Sequence, residues 1–220
     1  INYFSVKKYD LAVNFYKKAS NIEGVIKARR EILKEKFKDM EERDEKIEKA
    51  EQLIGKKDPW AADRTGFTPL MKAMNEGYSL DIGKILLSLG VDINAKIHLG
   101  NETGNYIHFS QFIDEKYQTE WLKFFIKHGA DINSETNLKR TPIFLASVFE
   151  NNLSIDFLLE KNCDLNHVDM NGETVDFYEA RKRRVKYYKI FIQKMAQPDK
   201  KNKHGQNILD ILNKIEELFI

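Results

Sequence analysis

A single cysteine, Cys163, is the only thiol in the sequence. It excludes an internal disulfide framework and every multi-cysteine zinc or redox motif, and it fits a reducing compartment. Charge of one sign is missing too: 36 basic side chains against 34 acidic leave a net charge of +2, so there is no global pull toward nucleic acid or an anionic membrane. No apolar run approaches the ~20 residues that cross a bilayer. A cytoplasmic location is expected, with export or a periplasmic location as the alternative if a targeting segment precedes Ile1. Glycine-rich phosphate loops, a nucleophile elbow and paired-carboxylate signatures are absent. The five histidines, His98, His108, His128, His167 and His204, form neither a two-histidine helical motif nor a pair with Cys163 at zinc spacing. No catalytic residue, metal or cofactor is therefore expected. With 42% hydrophobic residues in 220, the chain can still bury a substantial core.

What the sequence does contain is repetition. The stretch ending Leu86-Leu87-Ser88-Leu89-Gly90-Val91-Asp92-Ile93-Asn94 returns at Phe124 to Asn133 and at Phe157 to Asn166. Thr68 is matched by Asn105, Thr141, Thr174 and Asn207, at intervals of 37, 36, 33 and 33 residues. Thr68 is a good helix N-cap, and Pro69 follows at the first helical position, where its missing N–H costs nothing. Leu70 and Ala73 share one face of that helix. A second helix carries Ile82, Ile85 and Leu86 and stops at Gly90, suited to the left-handed C-cap conformation. Each unit is thus a helix pair plus a turn, and such a pair buries its apolar face only by stacking on the next. Gly66 to Leu70 is scaffold punctuation.

The period of 33, with Thr68-Pro69-Leu70 or Thr141-Pro142-Ile143 at one end and Asn94 or Asn166 at the other, resembles the ankyrin repeat over roughly residues 60 to 220. The resemblance implies an all-α ankyrin-repeat solenoid of four to five repeats, some degenerate. Asn105-Tyr106-Ile107-His108 replaces the threonine-proline start in the second repeat, and extra residues fall in Lys96 to Gly104 and Asp114 to Glu120, both expected as loops. His108 stands where the family commonly carries a structural histidine, and Cys163 where it prefers alanine. Asp176 replaces an expected leucine, which leaves the first helix of the fourth repeat in question. His204 to Leu212 reads as a terminal cap.

Residues 1–58 lack the repeat and are expected as an N-terminal helical extension, with 59–220 as the repeat domain. Tyr9 to Ala19 reads as one helix. Asn21 to Gly55 reads as one long helix, because Ala19, Ile26, Leu33, Met40, Ile47 and Ile54 sit seven apart with no proline between them. The second seam of a coiled coil is mostly charged, at Arg30, Asp44 and Glu51. Between Glu23 and Asp58 there are 11 acidic and 11 basic residues, as in a solvated mixed-charge helix. Two roles stay open for this segment, a cap on the first repeat and self-association through the apolar seam.

Ankyrin proteins bind other proteins through turn tips and the exposed face of each first helix. Carried over by position, the resemblance implies contacts at Arg64, Thr65, Phe67, Met74 and Asn75; at His98, Leu99, Asn101 and Glu102; at Asn137, Leu138 and Arg140; and at Met170 and Glu173. Phe112 and Phe149 belong to the same face, with inward packing as the stronger expectation. Arg181 to Lys189 (RKRRVKYYK) is the densest basic run, and Asp169 to Lys203 holds ten basic against five acidic residues. Arg181, Lys182, Arg183, Arg184 and Lys186 could bind nucleic acid or anionic lipid; the competing expectation is a solvated helix face with Val185, Tyr188 and Ile192 turned inward. The leading functional expectation is a stoichiometric protein binder. Lysine- and asparagine-rich usage, with 17 asparagines, points to an AT-rich and bacterial genome. There, ankyrin proteins resemble immunity proteins that neutralise a cognate toxin, or secreted effectors that bind a host protein.

Overall fold

In the computed structural model the chain divides into two compact units, Ile1–Asp92 and Ile93–Ile220; residues 22–55, 58–99, 101–194 and 200–211 are described. The expected helix at Tyr9 to Ala19 lies outside the described residues, as do Lys56, Lys57 and Leu212.

The first unit holds four described helices. The single long helix expected from Asn21 to Gly55 is instead two, α1 (Ile22–Lys36) and α2 (Arg43–Ile54), joined by a turn in which Glu42 takes the left-handed conformation at φ 52°. Packing explains the break. An unbroken helix would leave its apolar stripe without a partner, whereas folding α1 against α2 buries Leu33, Ile47, Ala50 and Ile54. Each large aliphatic side chain so buried contributes on the order of 2 kcal/mol, more than the few hydrogen bonds given up at the turn. Arg30 closes the hairpin on Glu51. Three residues of the heptad seam considered for self-association, Leu33, Ile47 and Ile54, are core here.

The first repeat completes this unit as α3 (Pro69–Asn75) and α4 (Leu80–Ser88). Thr68 caps α3 by accepting the Met71 N–H at 3.2 Å, and Gly90 ends the pair at φ 92°, a region that costs other residues strain. The helix α2 packs on both α3 and α4. The compact unit therefore runs to Asp92, past the boundary that composition places at Asp58.

In the second unit a hairpin comes first. Strands β1 (Ile97–Leu99) and β2 (Glu102–Gly104) pair antiparallel, with Leu99 opposite Glu102. The loop expected at Lys96 to Gly104 thus contains two paired strands. Three helix pairs follow: α5 (Tyr106–Phe109) with α6 (Glu115–Lys127), α7 (Pro142–Val148) with α8 (Asn152–Glu160), and α9 (Val175–Arg181) with α10 (Val185–Lys194). First helices stack on first helices, α5 on α7 and α7 on α9, and α6 packs on α8. Asp114 to Glu120, the other expected loop, is the start of α6, where the Asp114 carboxylate accepts the Lys116 N–H at 3.1 Å. This helix has 13 residues against nine in α4 and α8. The longer interval before Thr141 is about one added helical turn.

Trp121, Tyr106, Phe125, Phe144, Phe177 and Phe191 fill the core of this unit. A polar knot also lies inside it. Asn151 donates to Gln118 Oε1, its Oδ1 accepts the Ser154 N–H at 3.0 Å, and Gln118 donates to the Ile113 carbonyl at 2.8 Å. The first helix of the fourth repeat does form: Asp176 is buried at its start, accepts from the Thr174 hydroxyl, and has its acidity weakened by burial. The chain is helical again from 208 to 211, with Ile208 and Ile211 packed on Phe177 and Ala180.

Candidate protein-binding surface

The turn tips share one construction. In the first unit Asp63 Oδ1 accepts the backbone N–H groups of Thr65 and Phe67, at 2.8 and 3.2 Å, and Lys72 lies 2.6 Å from its other oxygen. These partners, Lys72 foremost, hold the Asp63 carboxyl well below the usual carboxylate range. Asp169 repeats the arrangement with the N–H groups of Asn171 and Glu173, Asn202 with those of His204 and Gln206, and Thr136 with those of Leu138 and Arg140 through its hydroxyl. Asp63, Thr136, Asp169 and Asn202 each stand five positions before a helix cap, at Thr68, Thr141, Thr174 and Asn207. That constant offset is a sequence signal which a reading centred on the caps passes over.

Backbone bonds join tip to tip along the second unit. Asn137 N–H donates to the Thr103 carbonyl at 2.9 Å, Met170 N–H to Leu138 at 3.1 Å, and Lys203 N–H to Asn171 at 2.9 Å. The hairpin is fastened twice more: Thr103 N–H donates to Asn137 Oδ1 at 2.7 Å, and Arg140 lies 2.6 Å from the Glu102 carboxylate. A fixed line of tips results, and its loop tops are free of stacking duty.

The residues assigned by position separate accordingly. Arg64, Thr65, Asn75, His98, Asn101, Asn137 and Met170 are exposed, and Phe67 and Leu138 are half-buried. Leu99 is placed by its backbone in β1. Met74 is a correction: it is wholly buried in the first unit's core. Glu102 and Glu173 are corrections as well. Both are buried, Glu102 with Arg140, and Glu173 with Arg181 and Asn202. Arg140 is taken up by Glu102 and by the Tyr178 ring, 5.7 Å from its guanidinium. These three residues build the tips rather than extend from them.

Phe112 and Phe149 were expected to pack inward, and instead both stay partly exposed and meet each other. They meet edge to face at 4.8 Å while remaining 37% and 43% exposed. Phe149 is the C-cap of α7 and Phe112 lies three residues past the end of α5, while Met170, 47% exposed, stands on the tip line.

The basic run is tied into the fold. Arg181 pairs with Glu173, Lys182 with Glu150 at 2.8 Å, Arg184 with the fully buried Glu179 at 3.2 Å, and Lys186 lies 3.6 Å from Asp156. Tyr187 and Phe191 turn inward beneath it. His108 is wholly buried, its ring nitrogens 2.7 Å from Asn105 Oδ1 and 2.9 Å from the Ser134 carbonyl, and burial lowers its pKa to about 4. Cys163 is buried, which raises its thiol pKa to about 12 and keeps it protonated. Among the described residues no three His, Cys, Asp or Glu side chains gather to hold a metal ion, and no helix is long and apolar enough to cross a membrane.

Stacked helix pairs with hydrogen-bonded tips define a repeat protein that works through its surface. Residues 65–98 match the ankyrin repeat family. An ankyrin repeat protein of fowlpox virus (strain NVSL) is 30% identical over 138 residues, which cover 50% of this chain and 72% of that protein. One from Acanthamoeba polyphaga mimivirus is 30% identical over 87 residues, 39% of this chain and 21% of its own length. The chain belongs to the ankyrin repeat family, of all-α solenoid class, and is a protein-interaction module.

Proposed function

We propose that this protein acts by stoichiometric binding of a single partner protein, gripped along the tip line of the second unit and by the exposed rings that follow its first helices. The observation that carries the reading is the Phe112–Phe149 pair, two large rings left in contact with solvent, together with the exposed Met170 on the tip line. Apolar side chains held rigidly at a surface are what an interface core needs, and aromatic residues head the list of binding hot spots. Arg64, Thr65 and Asn75 are the corresponding contact candidates of the first unit, and His98, Asn101, Asn137 and Leu138 those of the second. The action is that of an inhibitor or adaptor, since binding alone suffices for either. A cytoplasmic setting accords with the unpaired Cys163. The narrower version, a bacterial immunity protein that neutralises a toxin, rests on composition alone, and the relatives reported above are viral.

The test is affinity capture with the intact chain, followed by sizing of the complex. Phe149→Glu and Met170→Glu change exposed positions, so they should preserve the circular dichroism spectrum yet release the captured protein. Retention at wild-type strength by both variants would remove this surface from consideration.

A further inference from the structure

A second surface, made by the outer helices α6 and α8, carries features that the tip line does not explain. Between these helices runs an open groove of about 660 Å³ whose lining includes Leu153 and Phe157. Leu153 is 70% exposed, which makes it the least covered large apolar side chain of the described residues. Stacking does not account for it, because α6 and α8 already pack through their buried faces, Trp121 and Leu122 on one and Ile155 and Leu158 on the other.

The rim of the groove is acidic. Asp114, Glu115, Glu120, Asp156 and Glu160 line it against only two lysines, Lys116 and Lys123. The lysines near these carboxylates are held loosely: Lys123 lies 3.2 Å from Glu120, Lys161 3.8 Å from Glu160 and Lys186 3.6 Å from Asp156, all at exposed positions. Exposed pairs of this kind are weak and readily exchanged. Lys123 and Lys161 also stand over the Phe157 ring, 5.8 and 5.7 Å from its centre, so the ring already receives cations.

We propose that this groove is a second docking face, and that its occupant is a lysine- or arginine-rich amphipathic segment of a partner protein. The apolar side of such a segment covers Leu153 and Phe157. Its cations meet the five carboxylates, with arginine favoured because its planar fork bonds a carboxylate twice and stacks on an aromatic ring. An acidic segment, a nucleic acid or an anionic membrane would meet like charge at the rim. The inference does not rest on the tip line, which uses other helices.

The test is fluorescence anisotropy of a labelled amphipathic peptide, leucine on one face and arginine on the other, titrated with the full chain. Saturable binding is expected, while a peptide with glutamate in place of arginine should not bind. Leu153→Ser should weaken it about tenfold, the loss of one buried aliphatic contact. The double change Glu115→Lys with Glu120→Lys should weaken it at least as much, and raised salt should lower the wild-type affinity. Phe149→Glu should leave peptide binding unchanged. All of these positions are exposed, so circular dichroism can verify the fold of each variant. Absence of saturable binding, or affinity that ignores both Leu153→Ser and the rim reversal, would overturn the proposal. Loss of binding in Phe149→Glu would overturn it too, because the tip line would then be the site.

Discussion

At the scale of single residues, several side chains that look chemically active are structural, and their titration can show it. Burial lowers the folded pKa of His108 to about 4, from the ordinary 6.5 of an imidazole. The unfolded chain therefore binds a proton more readily than the folded one, so the neutral imidazole's contribution is complete above about pH 6.5. It is lost progressively as pH falls toward 4, by about 3 kcal/mol in all. Urea unfolding across that range should show the decline, and His108→Asn should be less stable at neutral pH but flatter toward acid. Parallel curves for the two proteins would mean that the histidine is not the titrating group. The basic run permits a sharper contrast. Arg184 faces Glu179, which is fully buried and whose acidity is weakened by burial. Arg184→Ala should cost about 3 kcal/mol, since it removes the cation from a buried carboxylate and leaves it the Ser147 hydroxyl, whereas Lys186→Ala, in an exposed pair, should change stability by under about 0.5 kcal/mol. Equal small effects from both would mean that the run is a free cationic surface after all.

At the scale of elements, the hairpin β1–β2 is where the tip line departs from the regular repeat, and an ion pair and two hydrogen bonds to Asn137 fasten it. Among the described residues, Glu102 is buried with Arg140 as its ion-pair partner, and its Oε2 has no hydrogen-bond partner. Arg140→Ala should therefore destabilise the protein by about 2 kcal/mol and speed amide exchange at Thr103, whose N–H is bound to Asn137. Glu102→Gln in the same chain should recover part of the loss. Unchanged exchange at Thr103 would show that the backbone bonds alone fix the hairpin. The regular repeats were legible because their punctuation is backbone chemistry: a threonine cap, a proline at the first helical position and a glycine with positive φ leave few alternatives. The departures were harder to read. A three-residue strand is too short to show alternation, although Gly100-Asn101 between Leu99 and Glu102 is the composition of a two-residue hairpin turn. In the same way Asp114-Glu115 is an N-cap followed by first-turn charge. Nothing local marks the turn between α1 and α2, because tertiary burial of Leu33 against α2 decides it. The roles of Glu102, Arg140 and Glu173 were also beyond a positional reading, which identifies a tip residue but not whether its charge points at a neighbouring repeat.

At the scale of the whole molecule, the repeat construction makes stability a property of neighbourhoods. Within each unit contacts run from one helix pair to its neighbour, so a defect should loosen its own surroundings first and leave distant pairs protected. Leu33 and the residues it joins are the place to test this. Leu33 is buried at the α1–α2 junction of the first unit, and Leu33→Ala removes about 2–5 kcal/mol of core contact. Amides of α1 and α2 should then exchange faster by at least tenfold, read by hydrogen exchange with mass spectrometry. Amides of α7 and α8, which belong to the second unit, should keep their wild-type protection. Because the Phe112–Phe149 pair and the tips from Thr103 to Lys203 lie in that second unit, capture of a partner should survive Leu33→Ala although the melting midpoint falls. A uniform rise in exchange across both units would instead mean that the chain unfolds as one cooperative body. Partner binding would then draw on the stability of every helix, and a substitution in either unit would weaken capture in proportion to its cost.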